Sequence, residues 1–305
     1  MRYDPAGFVD DLRSVVWHMD SPHYSAQVVA RWSLLKAAGA EVKVVLEGQG
    51  ADEMLAGYPW RHTRPYLRDL AAATRPWNLP WNAARAAGAV RQGQPLVTAS
   101  RRLLAMRRRE AQPPARLLSR EAAAAARANP LPRLGPSPFE GHLRAALWRD
   151  HSSLMLPALL HFGDAISMAH SVESRVPFLD HRLVEFGFQQ PFQALARGGE
   201  TKAILRDGLR RDLPPSTLAR RDKVGFRTPA ADWLRASLPA VKDVLAERQA
   251  RTPGLFDQAV LDRALGNGRT GGHLAANRLF RCLSLAIWFE QFIDGPTSAG
   301  SGPAR

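Results

Sequence analysis

A short run of aliphatic residues, VKVVLE at positions 42–47, leads directly into the glycine-containing segment GQGADEMLAGY. The valines and the leucine of this run predict a strand, and the residues after Gly50 predict the start of a helix. Crevices at the carboxyl ends of parallel strands are where open α/β sheets bind ligands. The chain is therefore expected to be an α/β protein with a ligand site in this loop.

The loop residues suit a phosphate-containing ligand. Gly48 and Gly50 would let backbone N–H groups approach a phosphate or a purine closely, and Asp52 and Glu53 could hold Mg²⁺. The same letters are also typical of a tight turn followed by an aspartate that caps a helix. On this motif alone, both interpretations stay open.

The rest of the chain is mostly helical in pattern. An amphipathic helix is expected over residues 8–19, with Asp4 as its cap and Pro5 as a first-turn proline, and a second helix is expected over 25–39. Residues 75–140 carry weak periodicity, whereas helical spacing returns from 141 to about 292. The remaining C-terminal residues are expected to form a disordered tail.

Basic charge is concentrated in one segment. The chain carries a formal charge of +14, and residues 61–149 contain 17 arginines, no lysine and four acidic residues. Clustered arginine could neutralise the phosphates of a nucleic acid. The segment has no zinc-finger, RRM or KH signature, and its alanine runs with scattered arginine favour solvated helix faces. A nucleic-acid partner is therefore not expected.

Cysteine content and hydropathy exclude further classes. A single cysteine, Cys282, excludes an intramolecular disulfide framework and a cysteine-rich zinc site. No apolar run approaches the roughly 18 residues of a membrane span, and the first residues have no apolar core of a secretory signal. We expect a soluble, cytoplasmic protein without a membrane partner.

Two further clusters carry candidate site residues. In residues 167–180, Glu173 and Arg175 are expected to flank a buried turn, and Asp180 can cap the next helix. A salt-bridged helix junction is an equally good interpretation. Two of the five lysines, Lys202 and Lys223, fall in the third cluster, where a compact positive charge would suit an anionic ligand.

Taken together, the order, wording and spacing of the three clusters resemble the synthetase half of glutamine-dependent asparagine synthetases. The matching stretches are VVLEGQGADEMLAGY, ISMAHSVESRVPFLDHRLVEFGF, ETKAILR, LPPSTLARRDKVGFRTPAADWL and LFRCLSLAIWFEQF. The resemblance implies activation of aspartate with Mg·ATP to β-aspartyl-AMP, followed by displacement of AMP by ammonia from a separate glutaminase domain. It also implies a doubly wound nucleotide-binding sheet, of which this chain holds a remnant, joined to a mostly helical synthetase lobe.

The resemblance carries roles onto individual positions in the glycine loop. Glu47, Gly48 and Gly50 would lie against ATP, and Asp52 would be a Mg²⁺ ligand. Gln49 occupies a position that is Glu in some members and linked there to formation of the acyl-adenylate. Because an amide cannot act as a base, the resemblance implies at most an orienting role for Gln49.

Five positions farther along the chain also match. Asp164, Lys202 and Lys223 would line the site of the phosphates and the intermediate, with Lys223 stabilising negative charge that develops there. Glu173 and Arg175 match the ExRVPFLD motif and would shape the site rather than react.

Two parts of the family pattern are not found. Residue 2 is Arg where the glutaminase domain has its catalytic cysteine, and no Ser-Gly-Gly sequence of the pyrophosphate loop occurs. We therefore expect a C-terminal fragment whose strand at 42–46 has few or no parallel neighbours, and which binds Mg·ATP weakly unless an N-terminal partner chain is present. The expected divisions are residues 1–75, 76–140, 141–292 and 293–305, in order a nucleotide-binding part, a variable insertion, a helical part and the tail.

Three functions remain open at this point. The first is an ATP-dependent ligase of the asparagine synthetase type. The second is an amide ligase of the β-lactam synthetase or lasso-peptide cyclase type, which also uses an acyl-adenylate. The third is a non-catalytic remnant or a basic binding module.

Overall fold

The computed structural model describes residues 3–73, 117–128, 135–197, 200–220, 228–266 and 272–295. After a 3-10 turn (Pro5–Gly7), helices α1 (Phe8–Met19) and α2 (Gln27–Gly39) precede strand β1 (Val44–Leu46). Helices α3 (Ala51–Met54) and α4 (Pro59–Ala73) follow. The two helices and the strand predicted here are confirmed, each beginning or ending close to its expected residue.

The later part of the chain is largely helical, as predicted from residue 141 onward. Its elements in chain order are α5 (Arg120–Ala128), α6 (His142–Arg149), a π-helical turn (Asp150–Leu154), α7 (Leu156–Met168), β2 (Glu173–Arg175), a 3-10 turn (Pro177–Leu179), α8 (His181–Gln189), α9 (Phe192–Leu195), β3 (Ala196–Arg197), β4 (Glu200–Thr201), α10 (Ala203–Gly208), α11 (Pro215–Ala219), α12 (Ala230–Ala236), α13 (Leu238–Arg251), α14 (Gln258–Gly266) and α15 (Gly272–Phe292). Asp180 caps α8, as expected, by accepting the backbone N–H of Arg182 at 2.9 Å.

Two local predictions need correction. Asp4 accepts the N–H of Ala6 at 3.0 Å, so it caps the 3-10 turn and not α1. Glu173 and Arg175 do not flank a buried turn but form the exposed ends of β2. Pairing with β1 stabilises that strand despite its charged residues, since a strand in a sheet depends on its neighbours more than on intrinsic preference.

Strands β1 and β2 run parallel, with Val44 opposite Glu173 and Leu46 opposite Arg175. Within the described residues these two strands form the whole parallel sheet, and β3 and β4 form a separate antiparallel pair. The fold is thus a mostly helical α/β arrangement with small sheets. Val44 and Leu46 are 39% and 72% exposed, although parallel sheets are usually covered on both faces.

The buried side chains form two clusters on either side of the glycine loop. The first joins α1 and α2 to α13 and α15, and Val45 of β1 packs against it. The second contains Met54 and Leu55 after the loop, together with residues of α6 and α8. Residues 47–50 therefore connect two separately packed cores. Such a loop has its position fixed at both ends.

Helix α5 has no buried residue, in agreement with a solvated helix face in that part of the arginine-rich segment. Residues 74–116 and 129–134 of the segment lie outside the described residues, as do 296–305 of the expected tail. The division into four parts stays a prediction. Among the helices that the structure describes, none is long and apolar enough to cross a membrane.

The buried ring of His23 should make the stability of the fold depend on pH. Burial lowers the pKa of His23 to about 4. At a pH between about 4 and 6.5, His23 is mostly protonated in the unfolded chain and mostly neutral in the folded chain. Stability due to this group is therefore complete above pH 6.5 and falls as the pH drops toward 4, by at most about 3 kcal/mol.

Urea unfolding at pH 7 and pH 5, compared between the wild type and His23→Gln, isolates this contribution. The variant should lose less stability than the wild type over the same interval, because glutamine does not titrate. His151 and His170 also have a pKa lowered by burial, so part of the dependence should remain in the variant. Equal losses in both proteins would contradict the assignment to His23.

Candidate functional site

The glycine loop is fixed by its contact with the second motif. Gly50 has a φ of +91°, a backbone conformation that glycine adopts without steric cost. A Cβ at this position would overlap Leu179 Cδ2 and lie 2.9 Å from its Cγ. Leu179 belongs to the VPFLD stretch, so the first two motifs pack directly against each other.

The third motif contacts the first through an ion pair. Lys202 Nζ lies 2.9 Å from Asp52 Oδ1, and the two side chains are only 25% and 17% exposed. The Lys202 N–H donates to the carbonyl of Leu55 at 3.2 Å, and its φ of +55° is uncommon for a residue with a side chain. The structure therefore brings together two of the site residues that the sequence placed 150 positions apart.

Gly57 leaves the space that this ion pair needs. A Cβ at Gly57 would overlap Asp52 Oδ1 and lie 2.6 Å from Lys202 Cε. The Gly57 N–H also donates to the Asp52 carbonyl at 2.8 Å, and this bond holds the Gly57 backbone close to the aspartate. Only a residue without a side chain can occupy this position while the pair remains intact.

Gly57→Ala is expected to lower the free energy of unfolding by about 1–3 kcal/mol, the usual cost of forcing a methyl group into a packed site. Gly208→Ala is the matched control, since a Cβ there would meet no atom within 4 Å. Urea denaturation of the two variants measures the difference. If they unfold alike, the contact around Gly57 is looser than the structure has it.

Glu47 follows β1 and is held on two sides. Its N–H donates to the Arg175 carbonyl at 2.8 Å, and its carboxylate forms an ion pair with the guanidinium of Arg31 on α2. The two side chains are 15% and 19% exposed. Gly163 of α7 makes room for the guanidinium, because a Cβ there would lie 3.3 Å from Arg31 Nη2.

The remaining candidate site residues differ in their exposure, and one of them is not described. Gly48 is exposed, with no atom within 4 Å of where its Cβ would be, whereas Gln49 is partly buried. Asp164 is exposed on α7, next to Gly163. Lys223 lies outside the described residues. The loop at Gly48 thus has open space for a ligand beside the held carboxylate of Glu47.

The side chains of Glu173 and Arg175 pair with each other, and only the Arg175 backbone contacts the end of β1. Arg175 Nε lies 2.8 Å from Glu173 Oε1, and the two side chains are 57% and 60% exposed. The hydrogen bond from Arg175 lowers the pKa of Glu173. Because side chains alternate along a strand, both project to the face that carries Val44 and Leu46, opposite Val45.

The acidic residues fit a magnesium ion that arrives with phosphates. In the described ranges there is no cluster of three or more His, Cys, Asp or Glu that could enclose a metal. Glu47 is paired with Arg31, Glu53 is almost fully buried against Tyr58, and Asp52 is paired with Lys202 at the start of the helix after the loop, so a metal there would share the Asp52 carboxylate with the lysine. Mg²⁺ is commonly bound by one or two carboxylates while phosphates and water supply its other ligands.

A buried polar network behind the loop was missed from the sequence. The hydroxyl of Tyr58 donates to Glu53, and the N–H of Tyr58 donates to His62 Nδ1 at 3.3 Å. His62 Nε2 lies 3.0 Å from Asp150 Oδ2, and Arg61 Nε donates to the same oxygen at 2.7 Å. Asp150 is separated from its partners by 88 residues or more, so no local pattern could have found it.

Charges in this network are mutually compensated. Burial would raise the pKa of Asp150, but the hydrogen bonds from His62 and Arg61 outweigh it and lower the pKa below its ordinary value. Burial, followed by the hydrogen bond to Glu53, raises the pKa of Tyr58. Arg61 belongs to the arginine-rich segment, so this part of the segment has a structural role and is not simply a solvated face.

Comparison with known proteins matches the chain to one family. The asparagine synthase family profile covers residues 1–290. A Mycobacterium bovis protein provisionally named asparagine synthetase (glutamine-hydrolysing) is 28% identical over 304 aligned positions, which cover 94% of this chain and 45% of that protein. Asparagine synthetase (glutamine-hydrolysing) 1 of Bacillus subtilis is 24% identical over 256 positions, or 80% of this chain and 40% of the relative. The chain thus spans less than half the length of these curated relatives.

Proposed function

Because the chain belongs to the asparagine synthase family, we propose that it provides part of the catalytic site of an ATP-dependent amide ligase. Its substrates are aspartate and ATP, and ammonia is the second nucleophile. One observation carries this proposal. Asp52 and Lys202 form a mostly buried ion pair beside an open glycine loop at the carboxyl end of β1, where ligands bind in α/β sheets.

The proposed reaction has two steps. An oxygen of the aspartate side-chain carboxylate attacks the α-phosphorus of ATP, forming β-aspartyl-AMP and releasing pyrophosphate. Ammonia then attacks the acyl carbon, AMP leaves with the bonding electron pair, and the nitrogen loses a proton to give the amide. The protein must hold two anionic reactants together, since correct placement of reactants can supply about 7–11 kcal/mol of the barrier.

The proposal gives each candidate residue a role. Asp52 would hold the Mg²⁺ that accompanies the phosphates, and Lys202 would offset the negative charge of the departing pyrophosphate. Lys223 is proposed for the same charge, Asp164 for the rim of the site, and Gln49 for orienting the nucleotide. When bound, Mg²⁺ would neutralise phosphate oxygens and so favour departure of pyrophosphate.

The open sheet supports a requirement for additional polypeptide. Val44 and Leu46 leave an apolar face exposed, and in a parallel ladder their backbone groups point away from β2. We propose that an N-terminal partner segment adds strands to this edge and completes the doubly wound sheet. Ammonia would come from glutamine through a separate glutaminase domain.

Aspartate-driven exchange of labelled pyrophosphate into ATP tests the proposal. The measurement is made on the chain alone and with an N-terminal synthetase segment of the family supplied in trans. Exchange that requires aspartate and the second segment is the expected result. Exchange with another carboxylic acid in place of aspartate would indicate the β-lactam synthetase or lasso-peptide cyclase type, and absence of exchange with every acid would leave a non-catalytic remnant.

A further inference from the structure

The buried network behind the glycine loop has the geometry of a positioning device. Asp150 is 2% exposed and His62 is 2% exposed, so neither can contact a ligand in the loop. They are nevertheless linked to it through Tyr58, whose neighbour Gly57 lies directly against the Asp52–Lys202 pair. We propose that Asp150 is a positioning residue that fixes this ion pair through His62 and Tyr58.

The hydrogen bonds define the tautomer of His62. A backbone N–H can only donate, so His62 Nδ1 must accept the hydrogen bond from the Tyr58 N–H. His62 Nε2 then carries the ring hydrogen and donates it to Asp150 Oδ2, 3.0 Å away. Asp150 selects this tautomer, as carboxylates commonly do for the histidines that they orient. Without the carboxylate, the ring loses both the selected tautomer and its fixed angle.

The network acts on the loop at two points. The first is the backbone of Tyr58, which follows the Gly57 turn and so limits movement of that turn away from Asp52. The second is the hydroxyl of Tyr58, which donates to Glu53, the residue after Asp52. The first point directly follows Gly57 and the second is the residue after Asp52, so a shift of Tyr58 acts on both ends of the segment between them.

Asp150 also connects two motif-bearing segments. It begins the π-helical turn that leads into α7, which carries Asp164, while Arg61 and His62 belong to α4 after the glycine loop. Turns of this type are uncommon and occur often at functional sites. The hydrogen bonds from Arg61 Nε at 2.7 Å and from His62 therefore set the distance between the two segments.

Lysine labelling tests this inference on the chain itself. The five lysines are modified with a trace of acetylating reagent, and the rate at each is read by mass spectrometry of its peptide. Asp150→Asn keeps the shape of the side chain but removes its charge and gives it a donor that faces other donors. Acetylation of Lys202 should become about tenfold faster than in the wild type, the effect of losing one buried charged hydrogen bond.

Two references separate positioning from general stability. Lys242 is exposed on α13, whose buried residues belong to the first core cluster and not to the one that contains Met54 and Leu55, and its rate should not change. Asp69→Asn is the matched control, because Asp69 is also a buried carboxylate between α4 and α6. It accepts the N–H groups of His142 at 2.7 Å and Leu143 at 2.8 Å, with no bond to the loop. Its substitution should leave the Lys202 rate at the wild-type value.

Each outcome decides the inference. An unchanged Lys202 rate in Asp150→Asn would overturn it, and so would an equal increase in Asp69→Asn. If Asp150→Asn unfolds, so that every lysine reacts faster, His62→Gln decides instead, since it breaks the link while leaving the carboxylate with Arg61. A faster Lys202 in that variant supports the inference, and an unchanged rate contradicts it.

The meaning of Asp150 for catalysis rests on the proposed function, but the labelling does not require activity. If Lys202 responds as expected and no acid supports pyrophosphate exchange, the positioning network stands and the proposed function fails. If exchange is found while Lys202 does not respond, the function stands and the role of Asp150 is wrong.

Discussion

Lys202→Met is expected to lower aspartate-driven pyrophosphate exchange by at least about 100-fold, the usual loss when one fixed electrostatic group of an active site is removed. Its ammonium is 2.9 Å from Asp52 and its side chain is only 25% exposed, so solvent does not supply an equivalent charge. Methionine keeps most of the volume and the flexibility of the stem. Because the substitution also removes a partner of the mostly buried Asp52 carboxylate, some stability should be lost as well, and the exchange rate is therefore measured where circular dichroism shows the variant folded.

Asp52→Asn separates the role of the metal from that of the lysine. If Asp52 binds Mg²⁺, part of the loss in this variant should return at high Mg²⁺ concentration, whereas Lys202→Met should not respond. Gln49→Ala should cost less than either, because a neutral amide can only orient the nucleotide. Exchange at the wild-type rate in Lys202→Met would show that the site has been placed wrongly. Lys242→Met, on an exposed part of α13, is the control for loss of a lysine.

The sequence was sufficient for the elements that depend on local pattern. Helix α1 and strand β1 follow from the spacing of apolar residues, and the cap at Asp180 follows from a short acidic side chain before a helix. The family resemblance then placed Asp52 and Lys202 in one site, and the structure has them in contact. The helix, the strand and the cap could be predicted because each depends on residue types within a short segment, whereas the contact between Asp52 and Lys202 followed from the resemblance and not from local pattern.

The features that the sequence did not reveal depend on partners distant in the chain. Glu173 and Arg175 were expected to flank a buried turn, and only the ladder with β1 makes them an exposed strand. Asp150 resembles any acidic residue after a helix, and its burial becomes visible only when α4 packs against α6. Long-range pairing of this kind has no periodic signature, so a single sequence cannot reveal it.

Glu47 has a partner that neither the sequence nor the resemblance indicated. The resemblance placed it against ATP, but nothing in the sequence indicated that Arg31 would reach its carboxylate. With both side chains no more than 19% exposed, the pair lies mainly out of water, where an ion without its partner is costly. Glu47 is therefore suited to anchor the end of β1, where its N–H also donates to the Arg175 carbonyl.

Arg31→Met should lower the free energy of unfolding by about 3 kcal/mol, near the lower end of the range for breaking a buried ion pair, because some exposure remains. Adding Glu47→Gln should restore much of the loss, since the double variant no longer buries an unpaired charge. The coupling between the two positions, obtained from urea unfolding of the four proteins at pH 7, should exceed about 1 kcal/mol.

The exposed pair Arg235–Asp232 supplies the matched control. Its side chains are 48% and 69% exposed, and Arg235→Met should change stability by no more than about 0.5 kcal/mol. If the coupling at Arg31 and Glu47 is as small as at the exposed pair, the Glu47 carboxylate is not held by Arg31 in solution. It would then be free to face the nucleotide, and the anchoring role would pass to the backbone hydrogen bond between Glu47 and Arg175.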